Sequence, residues 1–237
     1  MGVPSTVQRH ESTDDSTAAP IMTAHNLYRF FRTDDEETLA LQGISMAVRA
    51  GELIAVTGPS GSGKSTLLAC LAGIDDPSGG TVWVAGKRIS HVPEAVRAPL
   101  RARHVGLLFQ SGNLFPHLSV ADNVRLVRSL VPGRGRAADH DVLESAEIRH
   151  RAASYPHQLS GGEAARAGLA VALANHPEVL LADEPTGELD GESERRLLGL
   201  LHQHAAVGGA VVVASHSPAV RRIADRVLRL EDGRDVS

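Results

Sequence analysis

The stretch "TGPSGSGKSTLLACLAG", residues 57–73, decides the reading of this chain. An apolar run, "ELIAV" (52–56), leads into it, and Leu67, Leu68, Leu71 and Ile74 follow at helical spacing. The local order is therefore strand, glycine-rich turn, helix. The chain has only two lysines, Lys64 and Lys87, and arginine carries the rest of its positive side-chain charge. Arginine is a planar fork, whereas lysine is a compact charge on a thin stem. A lysine enclosed by glycines and hydroxyls at a helix start suits an anion held by backbone groups. Glycines let successive N–H groups turn inward, and the helix N-terminus adds its partial positive charge.

The eight residues "GPSGSGKS" fit G-x-x-x-x-G-K-[ST], with Gly58, Gly63, Lys64 and Ser65 at the defining positions. This pattern predicts a phosphate cradle formed by Gly58, Pro59, Ser60, Gly61, Ser62, Gly63, Lys64, Ser65 and Thr66. Lys64 reaches β- and γ-phosphates, and the Ser65 hydroxyl is a ligand for Mg²⁺.

Working outward, short apolar runs predict further strands at 44–48, 81–85, 105–109, 179–183, 210–215 and 226–230. Those beginning at 53, 179 and 210 lack alternating polar positions, as expected of a sheet covered on both faces. Helical spacing recurs in 162–174 and 192–204, the latter with Glu194, Leu197, Leu198 and Leu201 on one face and Asp190 as N-cap. Residues 111–160 offer no buried strand and carry "VPGRGR", which predicts a helical lobe inserted into an α/β core, at about 111–165. Residues 1–20 are rich in Ser, Thr and Asp and are expected to form a disordered tail ahead of a domain spanning 21–237.

Composition narrows the function classes. In 237 residues the net charge is −4, which lacks the basic footprint of a nucleic-acid binder. The single cysteine excludes an internal disulfide framework and suits a reducing compartment. No apolar run approaches the length that crosses a bilayer, and no signal-peptide pattern opens the chain. The expectation is a cytoplasmic protein without direct membrane insertion.

Two further motifs carry chemistry. In "VLLADEP" an apolar strand ends in Asp183 and Glu184. Adjacent carboxylates there repel unless a cation or ordered water absorbs the charge. Asp183 suits the outer shell of Mg²⁺, and Glu184 suits polarising an attacking water. "LSGGE" (159–163) opens a helix that Ser160 can cap, with Gly161 and Gly162 exposing N–H groups at its positive end.

"GPSGSGKST", "LLFQ", "LSGGE", "LLADEPTGELD" and "VVVASHS" occur in this order at suitable intervals. With them the chain resembles the ATP-binding subunit of ABC transporters, from about residue 21 to 235. The resemblance implies a P-loop NTPase α/β fold with a RecA-like core, an antiparallel β subdomain and an inserted helical subdomain. It implies ATP and Mg²⁺ as cofactors and ATP hydrolysis coupled to transport. Gln110 would sense the γ-phosphate and Mg²⁺, and His216 would contact the γ-phosphate. Two cassettes, identical or sibling, would pair head to tail, each ATP lying between one P-loop and the partner's Ser160, Gly161, Gly162, Glu163 and Asp190. An aromatic side chain would stack on adenine; Phe31 fits by its spacing from "LALQGIS", with Tyr28 as the alternative.

"RARHVGLLFQSGNLFPHLSVADNV" and "DEPTGELD" are similar to the lipoprotein-release and macrolide-export (MacB/LolD-like) group. That implies a permease on a separate chain, which would hold the subunit on the inner face of the membrane. The chain departs from the family at Ala164, Ala165 and Arg166, where a glutamine-rich stretch is usual, and at Val171, where arginine is usual. Repair ATPases of the family carry coiled-coil insertions and translation factors carry two cassettes, and neither feature is present. A regulatory nucleotide binder would need neither Glu184 nor His216. Finally, Leu114, Phe115 and Leu118 lie in a segment marked as a loop by Gly112, Asn113 and Pro116. Large apolar residues on a loop predict a docking surface for a permease helix, with the core of the helical lobe as the alternative.

Overall fold

The computed structural model describes residues 19–33, 36–131 and 139–237. The predicted tail therefore lies almost wholly outside the described residues, as does most of "VPGRGR".

Two sheets form the frame. The larger has the strand order β10 (Arg234–Asp235), β9 (Arg226–Glu231), β3 (Leu53–Thr57), β8 (Ala210–Ala214), β7 (Val179–Asp183), β6 (Val105–Leu108). All its pairings are parallel except β10 with β9. The smaller, antiparallel sheet runs β2 (Glu36–Val48), β1 (Met22–Thr33), β4 (Gly79–Val84), β5 (Lys87–Arg88).

The central strands read as continuous apolar runs because both faces are covered. In β3, Ile54 and Val56 face a core shared with the small sheet and with α1 (Lys64–Leu71). Leu53 and Ala55 face the opposite core, beneath α6 (Gly191–Ala206) and α7 (Pro218–Ile223). The same alternation holds in β8, with Val212 on one side and Val211 and Val213 on the other. Such parallel strands need cover on both sides, and the helices supply it.

Between β6 and β7 lie α3 (Val120–Ser129), α4 (Asp139–Ser145) and α5 (Gly161–Ala172), with a further apolar cluster of Val120, Val124, Ile148, Ala167 and Ala170. Helix α5 joins this lobe to the main body, since Leu169 and Ala172 belong to the core of the large sheet. Among the described residues, no helix is long and apolar enough to cross a membrane.

Two expectations are corrected. Helix α1 ends at Leu71, and Gly73 adopts a left-handed φ of 62°, so Ile74 lies beyond the helix and is half exposed. Helix α2 (Glu94–His104) escaped the sequence reading. It contains Pro99, yet Glu94 bonds both Arg97 and Arg101 along its face, and Arg101 also reaches the Gly73 carbonyl.

Candidate nucleotide site

The turn between β3 and α1 is built from strained glycines. Gly58 has φ 149° and Gly63 φ 100°. A Cβ at Gly58 would lie 2.1 Å from the Leu230 carbonyl oxygen, and one at Gly63 would lie 2.3 Å from the Ala40 carbonyl oxygen. Only glycine fits either place. Gly63 is also the N-cap of α1, so the helix starts without a capping side chain and its first N–H groups stay available.

Lys64 is buried, and its ammonium donates to the carbonyl oxygens of Gly58 and Pro59, both at 2.9 Å. The charge is thus folded back over the loop. The loop borders a cleft of about 880 Å³ that also brings together Ser60, Gly61, Ser65, Thr66, Gln110, Glu184, Gly187 and His216. One wall is formed by Thr38, Leu39, Ala40 and Gln42 of β2, with Asp232 beside them. Ser62 departs from expectation. It is buried, its N–H donates to the Pro59 carbonyl, and it does not line the cleft.

At the end of β7, the Asp183 Oδ1 is buried and has no hydrogen-bond partner. A buried carboxylate oxygen without a partner is costly, and a bound cation would satisfy it, although Asp183 is not among the residues that line the cleft with Ser65 and Gln110. The donor set of hydroxyl, carboxamide and carboxylate suits Mg²⁺. Glu184 adopts φ 46°, unusual for a residue with a side chain. Its carboxylate accepts from the Ser215 hydroxyl at 3.1 Å and pairs with His216 Nδ1 at 3.1 Å. Gln110 donates through Nε2 to Glu188 Oε1 at 3.2 Å. Ser215 and Glu188 were not singled out from sequence, although both sit within motifs that were, "VVVASHS" and "TGELD".

Ser160, Gly161, Gly162, Glu163 and Asp190 do not line this cleft. Ser160 caps α5 in a reciprocal box: Glu163 N–H donates to its Oγ at 3.3 Å, and its own N–H donates to Glu163 Oε2 at 2.9 Å. The Ser160 N–H, with Arg151 at 2.8 Å, holds the Glu163 carboxyl down to about 2. The expectation that Glu163 contacts nucleotide thus meets a carboxylate already engaged. Asp190 caps α6, accepting from the N–H groups of Glu192 and Ser193. Gly162 lies against Ser193, where a Cβ would come within 2.4 Å of the hydroxyl, so the starts of α5 and α6 sit side by side.

Neither candidate aromatic lines the cleft itself. Phe31 stands opposite Thr38 and Tyr28 opposite Gln42, both of which do, and the Phe31 ring is partly exposed. Tyr28 stacks with Phe30 on the other face of the strand, their centroids 6.5 Å apart.

The sequence pattern defining the family described as "ABC transporter" matches residues 41–187. This chain belongs to the ABC transporter family. As an ABC cassette it is 38% identical over 218 residues to the macrolide export ATP-binding/permease protein MacB of Shigella flexneri, covering 90% of this chain and 34% of that protein. It is 37% identical over 218 residues to MacB of Escherichia coli strain K12, with the same coverage. The cassette therefore spans about a third of the length of the curated relatives it matches. Among solved structures it is similar to the dimeric structure of MJ0796, a bacterial ABC transporter cassette, with a TM-score of 0.84 and 31% identity over 91% of this chain and 97% of that one. MJ0796 in a post-hydrolysis dimer bound to ADP and Pi matches equally well. A nucleotide-free ATP-binding cassette from an ABC transporter, 21% identical with a TM-score of 0.78, shares the fold.

Proposed function

We propose that the chain binds and hydrolyses ATP as a head-to-tail dimer and thereby drives a membrane permease of the exporter or lipoprotein-release type. The observation that carries this reading is the convergence of Lys64, Ser65, Gln110, Glu184 and His216 on one cleft, with the unpartnered Asp183 oxygen at the end of the neighbouring strand. In this reading the loop N–H groups and Lys64 hold the β- and γ-phosphates, and Ser65, Asp183 and Gln110 hold Mg²⁺. The metal supplies charge neutralisation at the phosphates. Glu184 orients the attacking water and His216 steadies the γ-phosphate, with Ser215 and His216 holding the Glu184 carboxylate in place. Phe31 stacks on adenine, favoured over Tyr28 by its spacing from "LALQGIS" and by its more exposed ring.

The absence of Ser160, Gly161, Gly162 and Asp190 from the cleft supports the dimer. Ser160, Gly161 and Asp190 are exposed at two adjacent helix starts, where the nucleotide of a second copy would reach them, and Gly162 packs those starts together. The dimeric MJ0796 cassette supports the same assembly. The permease is read as a separate polypeptide holding the subunit at the inner face of the membrane; the MacB relatives carry both names in one protein.

Phosphate release by the purified chain with MgATP tests the proposal. Turnover is expected, and Lys64→Ala should abolish it by weakening nucleotide binding. Turnover that survives Lys64→Ala unchanged would place the chemistry elsewhere.

A further inference from the structure

Residues 28–31 of β1 alternate between the two faces of the small sheet. Tyr28 and Phe30 share one face. Arg29 and Phe31 share the other, the Arg29 guanidinium carbon lying 4.5 Å from the centroid of the Phe31 ring. Opposite Arg29 stands Leu41, fully buried, whose Cδ2 lies 3.2 Å from where a Cβ on Gly63 would sit. This face therefore looks toward the phosphate loop. The guanidinium is not free to wander. It forks onto Asp75, with Nε to Oδ2 at 2.8 Å and a terminal nitrogen to Oδ1 at 2.9 Å. Asp75 in turn follows α1, and its N–H donates to the Ala69 carbonyl. The helix whose N-terminus carries the phosphate loop thus holds, at its far end, a cation against one face of Phe31.

We propose that Arg29, anchored by Asp75, is a positioning residue for the purine base: it covers one face of Phe31 and fixes the ring so that the other face receives adenine. This rests on the reading that Phe31 stacks on the base. The physical reasons are two. A cation over one face of a ring is attracted by its quadrupole and restrains the ring's orientation. A bidentate Arg–carboxylate pair has a fixed planar geometry, so the restraint is passed from α1 to the ring. The distance between base site and phosphate site is then set by one rigid helix rather than by the β1–β2 hairpin alone. A prearranged ring loses less freedom when the base lands on it.

The test is calorimetric binding of MgATP and of Mg-tripolyphosphate, which has no base, to the full chain. Arg29→Met should raise the Kd for MgATP about two- to fivefold and leave that for tripolyphosphate unchanged. Asp75→Asn, which keeps the cation but loosens its anchor, should act in the same direction by about twofold. In a Phe31→Ala background, Arg29→Met should have no further effect. A purely structural ion pair would instead weaken both ligands together and persist in that background, and either result overturns the proposal. Should Arg29→Met fail to fold, Asp75→Asn decides: unchanged ATP binding refutes the anchor. The underlying reading fails separately, if Phe31→Ala leaves MgATP binding intact. If Phe31→Ala weakens it and Arg29→Met does not, only the role of Arg29 is lost.

Discussion

Replacing Gly63 by alanine tests how the phosphate loop is held. Its φ of 100° is a left-handed conformation in which a Cβ costs about 1–2 kcal/mol. The new methyl would also sit 2.3 Å from the Ala40 carbonyl oxygen, so one of the two must retreat by about 1 Å to reach ordinary contact. The Ala40 carbonyl also lies close to the backbone of Gly233, where a Cβ would come within 2.7 Å of its oxygen. Overpacking against backbone adds about 1–3 kcal/mol, for a sum of about 2–5 kcal/mol. In a chain of 237 residues that lowers the unfolding midpoint by about 4–20 °C. Gly61→Ala is the internal control. Gly61 is equally left-handed at φ 79°, but a Cβ there meets nothing within 4 Å. It should lose only the conformational part, about 1–2 kcal/mol. Thermal unfolding of both variants by circular dichroism compares them directly. If Gly61→Ala is as destabilising as Gly63→Ala, the packing of the loop against β2 is not what makes glycine obligatory.

Acid should act through the start of α5. The folded Glu163 carboxyl is held at about 2, below its unfolded range of about 4.3, so its contribution is present above pH 4.3 and lost as pH falls toward 2. Glu163→Gln should remove about 1 kcal/mol of that acid dependence; an unchanged slope of melting temperature against pH between 4.5 and 2 would count against the capping box. Phe115→Asp should leave ATP binding by the isolated chain unchanged while abolishing copurification with its permease. Leu114 is half-buried against the lobe core and Leu118 is also half-buried, so of the three only Phe115 is exposed, at 55%. Normal copurification of a folded Phe115→Asp protein would remove the docking role.

The central strands β3, β7 and β8 of the large sheet were legible because they are buried along nearly their whole length. The small sheet was legible only in part, and the reason lies in its backbone. In β1, Met22 and Ala24 are buried on alternate positions, then the register shifts between His25 and Tyr28, where Asn26 is left-handed, and Leu27 becomes the next buried residue. In β2 the skip falls between Leu41 and Ile44, at Gly43 with φ 80°. A bulge breaks the two-residue period from which strands are read. Local backbone roles were legible where a turn or helix start demands particular residue types, as at Gly58, Gly63, Ser160 and Asp190. Arg29, Ser215 and Glu188 act through partners 46, 31 and 78 positions away, and no local pattern announces such contacts.

The central claim is that Glu184 directs hydrolysis in a dimer closed by ATP. The most direct measurement is size-exclusion chromatography coupled to light scattering on Glu184→Gln with MgATP, alongside phosphate release. Loss of the carboxylate leaves the phosphate cradle intact, so the variant should bind ATP and accumulate as a dimer, while turnover falls about a hundredfold or more. A Glu184→Gln protein that stays monomeric at saturating MgATP, or that hydrolyses ATP at the unmodified rate, would contradict the account.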